Sequence, residues 1–203
     1  MAKKVLLVDL GNVLVKIGGK EFFGHLKQGK REQFIDLIHR HDKDEFDLTE
    51  LYKASADLFE PIFFADFAAL YANCFREANK KMFTALLRLK ETERARLICV
   101  TDINQFIFGI FALRFPEFFE IFQQWVLSYK LRSLKSEKKP FLFASQCFHF
   151  SLKDAAFVDD RADNHSAFVE CGGDKNACFL YKIDDLKNHR KFEKFLDKHF
   201  PPR

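Results

Sequence analysis

Lys4-Val5-Leu6-Leu7-Val8-Asp9-Leu10-Gly11-Asn12-Val13-Leu14 decides how the rest of the chain is read. Its first half is Val and Leu without polar alternation, and it runs into an aspartate. An uninterrupted apolar run of this kind reads as a strand buried on both faces, the pattern of a parallel sheet. Open α/β sheets place their chemistry beyond the carboxyl ends of such strands, which is where Asp9 falls. A simpler reading makes Asp9 a cap on the following turn. The segments downstream have to decide between the two.

After this strand, residues 16–20 (Lys-Ile-Gly-Gly-Lys) form a flexible exit with a hinge-like glycine pair. The pattern then turns helical. Phe34, Leu37, Ile38 and His41 repeat at three and four. Leu48, Leu51, Tyr52 and Ser55 do the same behind a capping Asp47. Pro61 ends one helix, and Phe64, Phe67, Ala68 and Tyr71 make another apolar face. No strand is expected between residues 21 and 88. Beyond it, strands are expected over residues 96–102, 125–128, 155–160 and 177–181. Helices alternate with them over 103–115, 140–148, 162–171 and 185–200, and Gly172-Gly173 closes the third. This order predicts an α/β fold: a Rossmann-like parallel sheet sandwiched by helices, with a small all-helical cap inserted after the first strand. The expected domains are a core of residues 1–15 and 81–203 and a cap of residues 16–80.

Composition narrows the functional classes. A chain of 203 residues with 48% apolar and 31% charged residues suits one globular unit plus an insert. Its net charge of +4 is mild and spread along the chain, apart from clusters such as residues 135–139, so nucleic acid is not an expected partner. There are 27 phenylalanines against two methionines and one tryptophan, which reads as core filling and not as a ligand box. Five cysteines without C-x-x-C spacing suggest neither a zinc site nor a disulfide framework, and Cys99 reads as a reduced, buried thiol. No targeting segment or membrane-length apolar run is read, so a cytoplasmic location without membrane contact is expected. Oligomeric state is not legible in the sequence.

Four polar signals occupy corresponding places. Asp9 follows the first strand, Thr101 the second, Lys135 lies in the loop after the third, and Asp159-Asp160 follow the fourth. In a parallel sheet those ends share one edge. Each has a bland alternative: Thr101 and the acid pair as helix caps, and Lys135 as a solvated loop lysine with Lys138 and Lys139 as rivals.

With these four motifs in order, the sequence resembles the haloacid dehalogenase-like (HAD) hydrolase superfamily. The opening Val8-Asp9-Leu10-Gly11-Asn12-Val13-Leu14 is similar to the branch of small phosphatases whose first motif reads D-L-G-N-V. Phosphatases acting on glucose 1-phosphate belong to that branch. Val158-Asp159-Asp160-Arg161-Ala162-Asp163-Asn164 is the most specific match after the first. The resemblance implies a Mg²⁺-dependent phosphatase for a small phosphorylated metabolite. Asp9 would be the nucleophile and form an aspartyl-phosphate. Asp9, the Gly11 carbonyl, Asp159 and Asp160 would hold the Mg²⁺ ion, Asp159 in part through water. Gly11, Asn12, Thr101, Asp102 and Lys135 would surround the phosphate. Thr101 would donate its hydroxyl, and Lys135 would hold the Asp9 carboxylate and the phosphate together.

Three departures qualify this pattern. The second aspartate, two residues after the nucleophile, is Gly11 here, a substitution the resembled branch shares, so general-acid help worth about 10²- to 10⁴-fold is either lost or supplied by water. The family's Lys-Pro reads Lys135-Ser136, and Thr101 is followed by Asp102, an extra acid near the phosphate. Two alternatives follow: a catalytically weak or inactive binding or regulatory relative, and a metal-independent haloacid dehalogenase, against which the paired acids argue.

Overall fold

A computed structural model describes residues 4–202. β1 (Val5–Val8) runs into a tight turn that leads to β2 (Val15–Ile17). Four helices follow: α1 (Lys20–Gly24), α2 (Arg31–His41), α3 (Leu48–Ser55) and α4 (Phe64–Ala72). β3 (Phe75–Ala78) then returns to pair antiparallel with β2. α5 (Lys80–Glu91) leads into β4 (Arg96–Thr101), α6 (Gln105–Arg114), the short α7 (Phe118–Ile121) and β5 (Gln124–Leu127). The chain continues through the one-turn α8 (Ser128–Leu131), α9 (Lys139–Cys147), β6 (Ala155–Asp159), α10 (Ala162–Glu170), β7 (Cys178–Leu180) and α11 (Leu186–His199).

The main sheet has the order β5-β4-β1-β6-β7, and every pairing in it is parallel. β1 lies at its centre. Val5 faces Arg96 of β4 on one side and Ala155 of β6 on the other. Successive β1 side chains point to opposite faces, and both faces are covered. Leu6 and Val8 join one buried cluster, Val5 and Leu7 the other. That is why the opening run needs no polar alternation. The strand order reverses at β1, so a crevice opens beyond its carboxyl end, where Asp9 follows.

The strand-free insert expected from the sequence is corrected at its two ends, which pair as β2 and β3. Those strands have three and four residues, too few for alternation to register. Between them the insert packs on phenylalanine. The rings of Phe34 and Phe59 are 4.9 Å apart and those of Phe22 and Phe67 5.3 Å, at steep edge-on angles. Asp47 caps α3 as expected, accepting from the Glu50 amide at 2.7 Å while Glu50 returns the contact to the Asp47 amide. No helix among the described residues is long and apolar enough to cross a membrane.

Candidate active site

The turn after β1 presents Asp9 at the edge of the sheet. Asp9 still donates its amide to Val158 of β6 at 2.9 Å, which fixes its backbone to the sheet edge. Leu10 then accepts from the amides of Leu14 and Val15, and Asn12 donates to Val15. Asn12 sits in the left-handed region at φ 53°, where asparagine is better tolerated than most residues. Its side chain is committed at both ends: Nδ2 donates to Asp160 Oδ2 at 3.0 Å, and Oδ1 accepts from the Ile17 amide at 3.1 Å. Expected at the phosphate, Asn12 therefore orients Asp160 and keeps only the second hydrogen of Nδ2 for a ligand.

The strand ends bring the other residues to the same edge. Lys135 lies in a single 3₁₀ turn after β5 and α8, and its ammonium sits 2.6 Å from both Asp9 Oδ1 and Asp159 Oδ2. Lys135 is only 1% exposed. Its rivals go elsewhere: Lys138 pairs with Glu170, and Lys139 donates to the Leu131 carbonyl. Asp159 is more tied up than its place in the motif suggests. Besides Lys135 it accepts from the Arg161 amide at 2.8 Å and from Asn164 Nδ2 at 3.1 Å. Asp102 accepts from the main-chain amide of Lys135 at 2.8 Å, so this extra acid anchors the Lys135 turn. Thr101 is buried at the end of β4 and lines the same cavity. The helix-cap alternatives fall away. Asn104 caps α6, accepting from the Ile107 amide, and the N-cap of α10 is Arg161, which makes no side-chain cap bond.

Asp9, Asp159 and Asp160 offer carboxylate oxygens that all lie within 4.8 Å of one another. Three acids around one buried ammonium leave excess negative charge. Burial pushes Asp9 well above the ordinary carboxylate range; Lys135 pulls it back, and Asp159 and Asp160 add to the rise. Burial also raises Asp160, with the Asn12 hydrogen bond opposing and Asp159 adding to the rise. Burial alone would lower Lys135, but Asp159, Asp9 and Asp102 outweigh it and hold the ammonium charged. Hard oxygen donors in this surplus fit a divalent cation of the Mg²⁺ type. Among the described residues, Asn164 lines this cavity and its Oδ1 is buried without a hydrogen-bond partner.

The cavity above these groups has a volume of about 330 Å³. The sequence reading missed most of its far wall. His39 lines it, and His41 is buried with its Nδ1 donating to the Phe46 carbonyl. Asp42 and Tyr71 come from the insert and meet Asn104 of the core. Asn104 Nδ2 donates to both, at 2.8 Å each. Arg161 and Asn164 also line the cavity, and both stand inside the quoted acid motif, which was the signal available for them.

No family model and no curated protein matches the sequence. Solved structures match its fold. A HAD family enzyme from Bacteroides thetaiotaomicron is 18% identical with a TM-score of 0.78, covering 94% of this chain and 99% of that one. The same enzyme in complex with magnesium and inorganic phosphate gives 19% and 0.76, over 91% and 96% of the two chains. A HAD phosphatase from Thermococcus onnurineus is 18% identical with a TM-score of 0.58, over 84% and 83%. An L-2-haloacid dehalogenase from Xanthobacter autotrophicus is 9% identical with a TM-score of 0.62, over 100% and 90%. With its central β1, its insert after the first strand and its acids at one sheet edge, the chain has the fold of the HAD-like hydrolases.

Proposed function

We propose that the chain is a phosphatase that hydrolyses a small phosphate monoester through an aspartyl-phosphate on Asp9, with Mg²⁺ as its cofactor and residues 16–80 as the cap over the site. The observation that carries this reading is the Lys135 ammonium, 2.6 Å from both Asp9 and Asp159, with Asp160 completing the acid cluster. Asp9 Oδ attacks phosphorus, and the bond from phosphorus to the ester oxygen breaks with its electron pair on the leaving oxygen. Water then attacks the same phosphorus, regenerating the Asp9 carboxylate and releasing inorganic phosphate. Lys135 holds the nucleophile in place and faces the incoming phosphoryl oxygens, so that like-charged groups can approach. The Thr101 hydroxyl donates to a phosphoryl oxygen from the end of β4. Asp9, Asp160 and the Gly11 carbonyl would hold the Mg²⁺ ion, which supplies charge neutralisation of the phosphoryl group when bound. Asp159, already accepting from Lys135, Arg161 and Asn164, positions Lys135 and closes the cluster from behind.

The acid surplus favours this reading over carbon–halogen hydrolysis, which uses an aspartate nucleophile but no cation. It also disfavours a purely binding relative, because buried like charges are costly to retain without a use. The test is phosphate release from p-nitrophenyl phosphate with Mg²⁺ and with chelator. Turnover that needs the metal and disappears in Asp9→Asn is expected. Halide release from a 2-haloacid in chelator, with no phosphate release anywhere, would replace the phosphatase by the dehalogenase.

A further inference from the structure

Gly11 has no side chain that could give a proton to a departing ester oxygen. The core side of the cavity offers no donor in its place. Asp9 and Asp160 serve the nucleophilic attack and the cation in the proposed reaction, Asp102 accepts from the Lys135 amide, and Lys135 stays charged between two carboxylates. The side formed by the insert brings four other titratable groups to the cavity: His39, Asp42, Tyr71 and Cys74. Three of them are poor donors. Burial, with Arg161 nearby, lowers the pKa of His39, so its ring is mostly neutral at pH 7. Burial lifts the Tyr71 phenol well above its ordinary range and the Cys74 thiol to about 11.

Asp42 differs. It is buried at the end of α2, and among the described residues it has no ion-pair partner. A buried carboxyl without a cation keeps its proton more readily than an exposed one. The groups facing it are Asp102 and Asn104 from the segment between β4 and α6, Tyr71 of α4, Ser128 of α8 and Arg161 at the start of α10. Burial outweighs them and places its pKa at about 7. Asn104 Nδ2 spends both of its hydrogens, one on Asp42 Oδ1 and one on the Tyr71 hydroxyl oxygen, each at 2.8 Å. Oδ1 is thereby an acceptor, and the proton of the neutral acid sits on Oδ2. Ser128 donates to the Asp42 carbonyl at 2.7 Å, which ties this part of the insert to the core.

Building on the phosphatase reading, we infer that Asp42 is its general acid and base, brought to the leaving oxygen by the insert. Asp9 Oδ attacks phosphorus, the bond to the ester oxygen breaks, and the electron pair left on that oxygen takes the proton from Asp42 Oδ2. The alcohol departs, and Asp42 is left as a carboxylate. Water attacks the same phosphorus from the side the alcohol vacated and gives a proton to Asp42. The bond to Asp9 breaks with its electron pair returning to the Asp9 carboxylate, and inorganic phosphate leaves. Both acids are then as they began.

The experiment measures kcat/KM with Mg²⁺ on the full chain for p-nitrophenyl, phenyl and n-propyl phosphate, in order of rising leaving-group basicity. Asp42→Asn keeps an acceptor for Asn104. It should lose on the order of 100-fold or more on propyl phosphate, and at least roughly ten times less on p-nitrophenyl phosphate, whose phenolate departs unaided. Above about pH 7 the wild type should lose activity on propyl phosphate relative to p-nitrophenyl phosphate, and the variant should show no such relative fall. Ser128→Ala removes a bond to the Asp42 main chain and spares the carboxyl, so it should change all three esters by the same factor. Equal losses on the three esters in Asp42→Asn, or the same selectivity in Ser128→Ala, would assign the effect to the packing of the junction and overturn the inference while the phosphatase stands. Selective loss on propyl phosphate in His39→Gln and not in Asp42→Asn would overturn it in favour of the histidine. No phosphate release from any ester by the wild type would remove the phosphatase reading and this inference together.

Discussion

Lys135 is the residue whose loss should be felt in two independent measurements. Removing one partner of a buried ion pair costs about 3–5 kcal/mol, because the remaining charge stays buried. Here two carboxylates, Asp9 and Asp159, would be left facing Asp160. Lys135→Met should therefore unfold at lower urea in chelator. Mg²⁺ should restore more stability to the variant than it adds to the wild type, since the cation then neutralises the whole cluster. Phosphate release should fall by about 10²- to 10³-fold, the usual effect of removing one group that stabilises developing charge. Equal Mg²⁺ stabilisation of the two proteins would show that the carboxylates do not share the ion. This lysine was singled out in the sequence because it lies in the loop after the third strand, at the place the resemblance gives to a lysine. Asp42, Asn104 and Tyr71 were not. Asn104 meets partners 62 and 33 positions away, and each of the three has an ordinary local reading as a cap, a turn acid or a core aromatic.

The elements divide by length. β1, β4, β5 and β6 were legible as apolar runs, and α10 as a helix closed by Gly172-Gly173. β2 and β3 were not, and neither were α7 and α8 at four residues each, because a single turn carries no period. The closing of α10 shows how much a legible signal can contain. Gly172 takes φ 99°, and Gly173 donates to the Phe168 carbonyl at 3.1 Å. A Cβ on Gly173 would lie 2.2 Å from the Phe168 ring. That ring cannot retreat, since Phe141 and Phe157 hold it at 5.5 Å and 5.3 Å. Gly173→Ala should destabilise the protein by about 1–3 kcal/mol through overpacking. Gly172→Ala should cost about 1–2 kcal/mol through the left-handed backbone alone. Urea midpoints measure both. Phe168→Leu should recover part of the Gly173→Ala loss and none of the Gly172→Ala loss.

At the scale of the whole molecule, the parallel sheet flanked by helices was legible in the sequence, but the way the segment after β1 meets it was not. They share a buried polar junction. Ser128 donates to the Asp42 carbonyl at 2.7 Å, Asn104 to the Asp42 carboxyl, and Arg114 to the carbonyls of Ala72 and Phe75. Asp42 gives this junction a pH dependence. Burial raises its pKa to about 7, with the Asn104 hydrogen bond opposing and Asp102 adding to the rise. In the unfolded chain an aspartate ionises near about 3.9. Between those two values the folded state binds the proton and the unfolded state does not, so stability falls as pH rises. The contribution is complete below the unfolded value and gone above the folded one. Asp42→Asn keeps an acceptor for Asn104 and removes the proton. Urea unfolding from pH 4 to pH 8 at fixed Mg²⁺ should show the wild type losing stability relative to the variant by up to about 1.4 kcal/mol per pH unit within that window. Parallel curves for the two proteins would mean that Asp42 stays ionised throughout, and that the junction is held by a charged carboxylate.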